Sequence, residues 1–125
     1  MLIIDGTHNH AGAKTLTKTI TDLFPNKKPI FLVSVMKDKQ VDKILNTFKK
    51  IADQIIFTQM PLTRGQEVNK LNRSSDAQFR KITDCQKAFE FFYSLLNKKS
   101  IGVVTGSLFF SSHVKKNFLS DLKNS

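Results

Sequence analysis

Apolar positions along this chain alternate between short continuous runs and wider-spaced stripes. Leu2-Ile3-Ile4 is a short run of the kind a buried strand makes. Ala13, Leu16, Ile20 and Leu23 then recur at helical spacing, and Pro25 ends that helix. Ile30-Phe31-Leu32-Val33-Ser34-Val35 is rich in β-branched and aromatic side chains and predicts a second strand. Val41, Ile44, Leu45, Phe48 and Ile51 mark one face of a second helix. Gln54 to Thr58 predicts a third strand. Pro61 and Gly65 then bracket a loop, and Glu67 to Leu71 predicts a short helix. Gln78 to Ile82 is polar enough for an edge strand with one wet side. Asp84 is placed to cap a helix whose stripe is Cys85, Ala88, Phe89, Phe92, Leu95 and Leu96. Gly102-Val103-Val104 predicts the last strand, and Phe110, Val114, Phe118 and Leu122 stripe a C-terminal helix.

Helices between strands imply right-handed crossovers and parallel pairing. The expected fold class is therefore α/β: a Rossmann-like, doubly wound, mostly parallel sheet of five to six strands with helices on both faces. A length of 125 residues fits one domain, 1–125, and no repeat or linker divides it. That size buries a real core without disulfides. The lone Cys85 excludes an internal disulfide framework and fits a reducing, cytoplasmic setting. No apolar run approaches the ~20 residues of a membrane span. The start lacks the basic region of a signal peptide, so no membrane partner is expected.

The formal net charge of +10 raises the question of nucleic acid. The lysines are dispersed as pairs: Lys27-Lys28, Lys49-Lys50, Lys98-Lys99 and Lys115-Lys116. Only Arg64, Arg73 and Arg80 are arginines, the usual readers of bases and phosphates. No aromatic-rich RNA-binding motif occurs, and the phenylalanines sit at core spacing. Most of these lysines fall at helix ends or on polar faces, where solvated lysines are ordinary, so the charge argues little for nucleic acid, though a basic surface also suits anionic small ligands.

Chemistry concentrates where strands stop. Asp5-Gly6-Thr7-His8-Asn9 follows the first strand, Met36-Lys37-Asp38-Lys39 the second and Thr105-Gly106-Ser107 the last. In a parallel sheet these stops fall on one edge, the edge where ligands bind. Gly6 permits a sharp turn. Asp5 can accept from ribose hydroxyls or an ammonium group, and His8 can donate to an anion. Thr7 or Asn9 can cap the next helix. Thr105-Gly106-Ser107 has the composition of a small anion nest, and Lys37 or Lys39 can reach a carboxylate or phosphate. Ordinary turn and cap chemistry accounts for the same residue types. His8 and His10 lack a third ligand nearby, so no metal site is expected. Cys85, on an apolar stripe, is expected to be inert.

In order and spacing these strings resemble the C-terminal domain of the folylpolyglutamate synthase / dihydrofolate synthase family of the Mur ligase superfamily. The family's Asp-Gly-Ala-His-Asn-Pro is Asp5-Gly6-Thr7-His8-Asn9-His10 here, with Thr7 and His10 in place of Ala and Pro. Its Val-Met-Lys-Asp-Lys is Val35-Met36-Lys37-Asp38-Lys39. Its Thr-Gln and loop Arg correspond to Thr58-Gln59 and Arg64-Gly65, and its Thr-Gly-Ser-Leu-Tyr to Thr105-Gly106-Ser107-Leu108-Phe109. Arg73 is a rival for the Arg64 position but lies too close to Thr105 for the usual spacing.

The resemblance implies an ATP-dependent ligase that joins L-glutamate to the γ-carboxylate of a folate through an acyl phosphate. It implies ATP contacts from Asp5 and His8, with His8 the catalytic residue. It implies glutamate contacts from Ser107, Lys37 and Arg64. The family's P-loop and Mg²⁺ ligands lie in a larger N-terminal ATPase domain, and no Gly-x-x-x-x-Gly-Lys-Ser/Thr string occurs here. The chain is thus expected to be the glutamate ligase domain, inactive alone, holding neither ATP nor Mg²⁺ tightly. Its expected partners are L-glutamate, folate and a separate N-terminal ATPase domain. The alternatives are a stand-alone binding module for an anionic amino acid or nucleotide, and a basic nucleic-acid-binding domain.

Overall fold

The computed structural model describes residues 1–7, 9–35, 40–59 and 78–119. Among these residues five strands and four α-helices follow one another. They are β1 (Leu2–Ile4), α1 (His10–Leu23), β2 (Ile30–Val33), α2 (Val41–Lys49), β3 (Gln54–Phe57), β4 (Phe79–Lys81), α3 (Cys85–Ser94), β5 (Gly102–Thr105) and α4 (Leu108–Val114). A π-helical segment, Lys115–Leu119, continues α4. The loop at Pro61 to Gly65, the short helix expected over 67–71, and Leu122 lie outside the described residues.

The strands pair in the order β1-β5-β2-β3-β4, and every pairing is parallel. The last strand is thus inserted between the first and the second. Gly102 is opposite both Leu2 and Ile30, and Val104 opposite both Ile4 and Leu32. Alternation along β2 splits the core into two layers. Phe31 and Val33 face the stripes of α1 and α2, together with Val103, Ile55 and Phe57. Ile30 and Leu32 face α3 and α4, together with Val104, Ile56 and Phe110. Strands buried on both faces read as unbroken apolar runs. This is why β2, β3 and β5 are legible in the sequence and the polar edge strand β4 is less so.

Caps set where the helices begin. Asn9 caps α1 by accepting from the Gly12 N–H at 2.7 Å. Asp84 caps α3 by accepting from Lys87 N–H at 2.9 Å. Ser107 caps α4 by accepting from Phe110 N–H at 2.9 Å. Two expectations change. Leu23, expected on the buried stripe of α1, is 65% exposed, because Phe24 sits one i,i+4 step beyond Ile20 and packs against the core instead. Strand β2 ends at Val33 rather than Val35. Its partner β5 turns away at Gly106, so Ser34 keeps one rung only, donating its N–H to Thr105 O at 3.2 Å.

Gly106 closes this corner. Its φ is +123°, and a Cβ built there would lie 2.1 Å from the carbonyl oxygen of Ser34. Backbone conformation and space both demand glycine. Gly106→Ala is expected to cost about 3 kcal/mol or more of folding stability, read from the urea midpoint. A loss under about 1 kcal/mol would mean that the β2 end moves aside freely.

Candidate functional site

Because all strands run parallel, β1, β2, β3, β4 and β5 end on one edge. Helices α1 and α2, which follow β1 and β2, pack on one face of the sheet. Helix α4, which follows β5, packs on the other. On each side of β5, therefore, the departing chains diverge to opposite faces. Such switch points open a crevice at the carboxyl ends of the strands.

Three backbone segments meet there. The Asp5 N–H extends the sheet by donating to Val104 O at 2.9 Å. The Gly106 N–H donates to Thr7 O at 3.0 Å, joining the two terminal motifs directly. The Ser111 hydroxyl, from the second turn of α4, donates to Asp5 O at 2.7 Å. Asp5 and Ser107 are thus brought to neighbouring strand ends, although 102 positions separate their numbers (107 − 5).

Both side chains also do local structural work. Asp5 Oδ1 accepts from the Thr7 N–H at 2.8 Å and from the Thr7 hydroxyl at 2.6 Å. This turn holds the carboxylate in one orientation, and Oδ2 has no hydrogen bond among the described residues. Ser107 is almost wholly buried and accepts from its own helix. Turn and cap chemistry is therefore realised at both positions, and it orients rather than excludes the groups a ligand would meet. His8, Lys37 and Arg64 lie outside the described residues.

Two further hydroxyls lie at this edge, that of Thr105 from the expected anion nest and that of Ser34, to which the sequence reading gave no role. Ser34 Oγ and Thr105 Oγ1 are fully buried and unpaired. Leaving a buried hydroxyl unpaired costs about 1–3 kcal/mol. The clue to Ser34 is that it interrupts an otherwise apolar run. Nothing in the sequence signals that Ser111 reaches back to Asp5.

His10 is held by a hydrogen bond to Thr47. Thr47 uses its hydroxyl proton on Lys43 O at 2.8 Å, so its oxygen accepts from His10 Nε2 at 3.1 Å. This bond ties the start of α1 to α2. Desolvation, then the charges of Lys14, Lys43 and Lys50, lower the His10 pKa from its ordinary 6.5. Burial, aided by Asp84, pushes the Cys85 thiol up to about 12, which removes it as a nucleophile at neutral pH. Among the described residues no group of three His, Cys, Asp or Glu side chains is placed to hold a metal ion. No described helix is long and apolar enough to cross a membrane.

Two open recesses lie at the opposite, amino-terminal edge. One is lined by the ends of α1 and α2, the other by Met1, Leu2 and the end of α3, and neither is lined by Asp5 or Ser107.

Residues 1–108 match the family model described as Mur ligase, glutamate ligase domain. The dihydrofolate synthase/folylpolyglutamate synthase of Bacillus subtilis is 27% identical over 114 residues, covering 90% of this chain and 26% of that protein. Mycobacterium tuberculosis folylpolyglutamate synthase, solved with ADP, superposes with a TM-score of 0.80 at 26% identity, over 91% of this chain and 29% of that one. E. coli FolC, solved with DHPP and ADP, gives 0.82 at 20% identity over 99% of this chain and 29% of that one, a likeness of fold. The chain therefore spans only 26% to 29% of the length of these proteins.

The His10 contact sets a pH dependence. A folded-state pKa below the unfolded value means that the unfolded chain takes up its proton first as pH falls. The contribution is intact above 6.5 and is lost as pH falls below that value, until the folded imidazole also protonates. His113, also lowered by desolvation, adds in the same direction. Urea unfolding between about pH 7.5 and 5.5 should show stability falling, and falling less steeply in His10→Gln, which keeps a donor for Thr47. Identical slopes would contradict the assignment.

Proposed function

This chain belongs to the Mur ligase glutamate ligase domain family, and from that premise we propose that it supplies the amino-acid and nucleotide contacts of an ATP-dependent amide ligase adding L-glutamate to folate. The observation that carries the reading is the joining of the Asp5–Thr7 and Thr105–Ser107 loops at the switch point of the sheet. That is where an α/β sheet binds its ligand.

In this reading the chain is one domain, 1–125, which works beside an N-terminal ATPase domain as the second wall of a cleft. The residues fit a nucleotide at this edge. Oδ2 of Asp5, with no hydrogen bond among the described residues, is held in one orientation by the bonds that Oδ1 accepts from Thr7, which suits a ribose hydroxyl. His8 follows on the same loop, contacts ATP and serves as the catalytic proton carrier. Ser107, Lys37 and Arg64 hold the glutamate carboxylates, the two cations by charge and Ser107 by its capped, fixed backbone. ATP supplies the phosphoryl group that activates the folate γ-carboxylate for attack by the glutamate amine. No step is assigned to a metal ion on this chain. Positioning by a P-loop dominates phosphoryl transfer, so the chain alone should be inactive.

A chimera tests this. The 125-residue chain replaces the matching part of the B. subtilis relative, and ATP-dependent addition of glutamate to folate is measured. The chimera should turn over and the isolated chain should not. Asp5→Asn keeps the turn with Thr7 but loses the charge, and should raise the KM for ATP about tenfold. His8→Ala should lower kcat about a hundredfold. Unchanged kinetics in both variants would overturn the assignment. Turnover by the isolated chain, abolished by Asp5→Asn, would favour a stand-alone activity.

A further inference from the structure

The first turn of α1 carries no large apolar side chain. It reads His10-Ala11-Gly12-Ala13, and the first bulky core residue of the helix is Leu16, in the second turn. Alanine and glycine bury little apolar area, so burial fixes the body of α1 more firmly than its start. A polar contact holds the start instead. His10 Nε2 donates to Thr47 Oγ1 on α2 at 3.1 Å, while the Thr47 hydroxyl donates its own proton to Lys43 O at 2.8 Å. Thr47 is buried with the core face of α2, so it offers His10 a fixed point.

The same turn touches the loop that leaves β1. A Cβ built on Gly12 would lie 3.1 Å from Thr7 Cγ2 and 3.2 Å from Asn9 Oδ1, so the Thr7 side chain rests on the bare Cα of Gly12. Glycine inside a helix is less favourable than alanine, and this close approach is a reason for it here. Thr7 in turn donates its N–H and its hydroxyl to Asp5 Oδ1 at 2.8 and 2.6 Å. Contacts thus run from Thr47 to His10, through one helical turn to Gly12, and on to Thr7 and the Asp5 carboxylate. Packed and hydrogen-bonded groups in direct succession can carry a displacement from one end to the other. A shift of the start of α1 would release Thr7 from its support and the Asp5 carboxylate from its orientation. A group that must be ordered on binding costs affinity.

We propose that His10 is a positioning residue of the ligand edge: its bond to Thr47 fixes the first turn of α1 and, through Gly12 and Thr7, the orientation of the Asp5 carboxylate. The proposal rests on the ligase reading only in taking Asp5 as a ligand contact. Its test is amide hydrogen exchange on the 125-residue chain and on His10→Ala, His10→Gln and Thr47→Val, beside titration of each with ADP. Exchange reads the brace without any ligand. In His10→Ala the amides of Thr7 and Gly106, which donate to Asp5 Oδ1 and Thr7 O, should exchange about fivefold faster or more. The amides of Phe24 and Ile55, bonded to Ile20 O and Gln78 O away from this loop, should keep their wild-type rates. His10→Gln, which keeps a donor for Thr47, should hold all four amides within about twofold of wild type. Thr47→Val should reproduce His10→Ala, and combining the two should add little, since both remove one bond. ADP should bind about threefold more weakly to His10→Ala and with wild-type affinity to His10→Gln. Wild-type exchange at Thr7 and Gly106 in His10→Ala would overturn the proposal. So would equal acceleration at Phe24 and Ile55, the mark of a general loss of stability, or a His10→Gln chain that behaves as His10→Ala. A wild-type chain that binds no ADP, while the exchange pattern holds, would count against the ligase reading and leave the brace standing.

Discussion

The corner at Gly106 governs the rest of the molecule. The last strand to be made must enter the middle of the sheet, between β1 and β2, and leave again without disturbing either neighbour. On one side the Gly106 N–H is donated to Thr7 O, and on the other its Cα lies so close to Ser34 O that no side chain fits. That single contact joins the first loop of the chain to the last. It also joins the ends of β1 and β5 at the carboxyl edge of the sheet.

From this constraint the chemistry of the edge follows. Inserting β5 between strands whose following helices pack on the other face creates divergence on both sides of it. The switch point is therefore a product of topology, and Asp5 and Ser107 arrive there already oriented. Asp5 is held by Thr7, its carbonyl by Ser111, and Ser107 by the first turn of its own helix. Groups locked by local hydrogen bonds lose less freedom on binding, the usual condition for a competent site. The turn-and-cap role and the ligand role, which compete when the residues are read singly, are compatible once the fold is known. The unpaired hydroxyls of Ser34 and Thr105 mark the same edge as one where stability has been given up.

Much of this was legible in the residues. Unbroken runs such as Ile30 to Val33 identify strands buried on both faces, and Asp84 with its stripe identifies α3. What was not legible is the order in which the strands lie. Periodicity reports what each segment buries and not which neighbour it meets, so nothing in Gly102 to Thr105 says that it pairs with both Leu2 to Ile4 and Ile30 to Val33. The ends of elements were blurred for a related reason. Ser34 and Val35 continue the apolar pattern of β2, but the partner strand turns away at Gly106. Leu23 and Phe24 both fit a helical stripe, and only packing chooses between them. At the site, Asp5 and Ser107 were singled out by their places at strand ends and by motif resemblance, and Ser34 interrupts an apolar run, whereas Ser111 and the Thr47 partner of His10 make long-range contacts with no local signature.

The most direct test of the central claim, that the joined β1 and β5 loops form the ligand-binding edge, is to follow the backbone amides of Thr7, Gly106 and Ser107 while ADP is added to the chain. The account predicts that these amides shift together, with a dissociation constant on the order of millimolar, worth ~4 kcal/mol, since one wall of a cleft desolvates little of its ligand. Titration that leaves all three unmoved, at concentrations where ADP perturbs other parts of the chain, would contradict it.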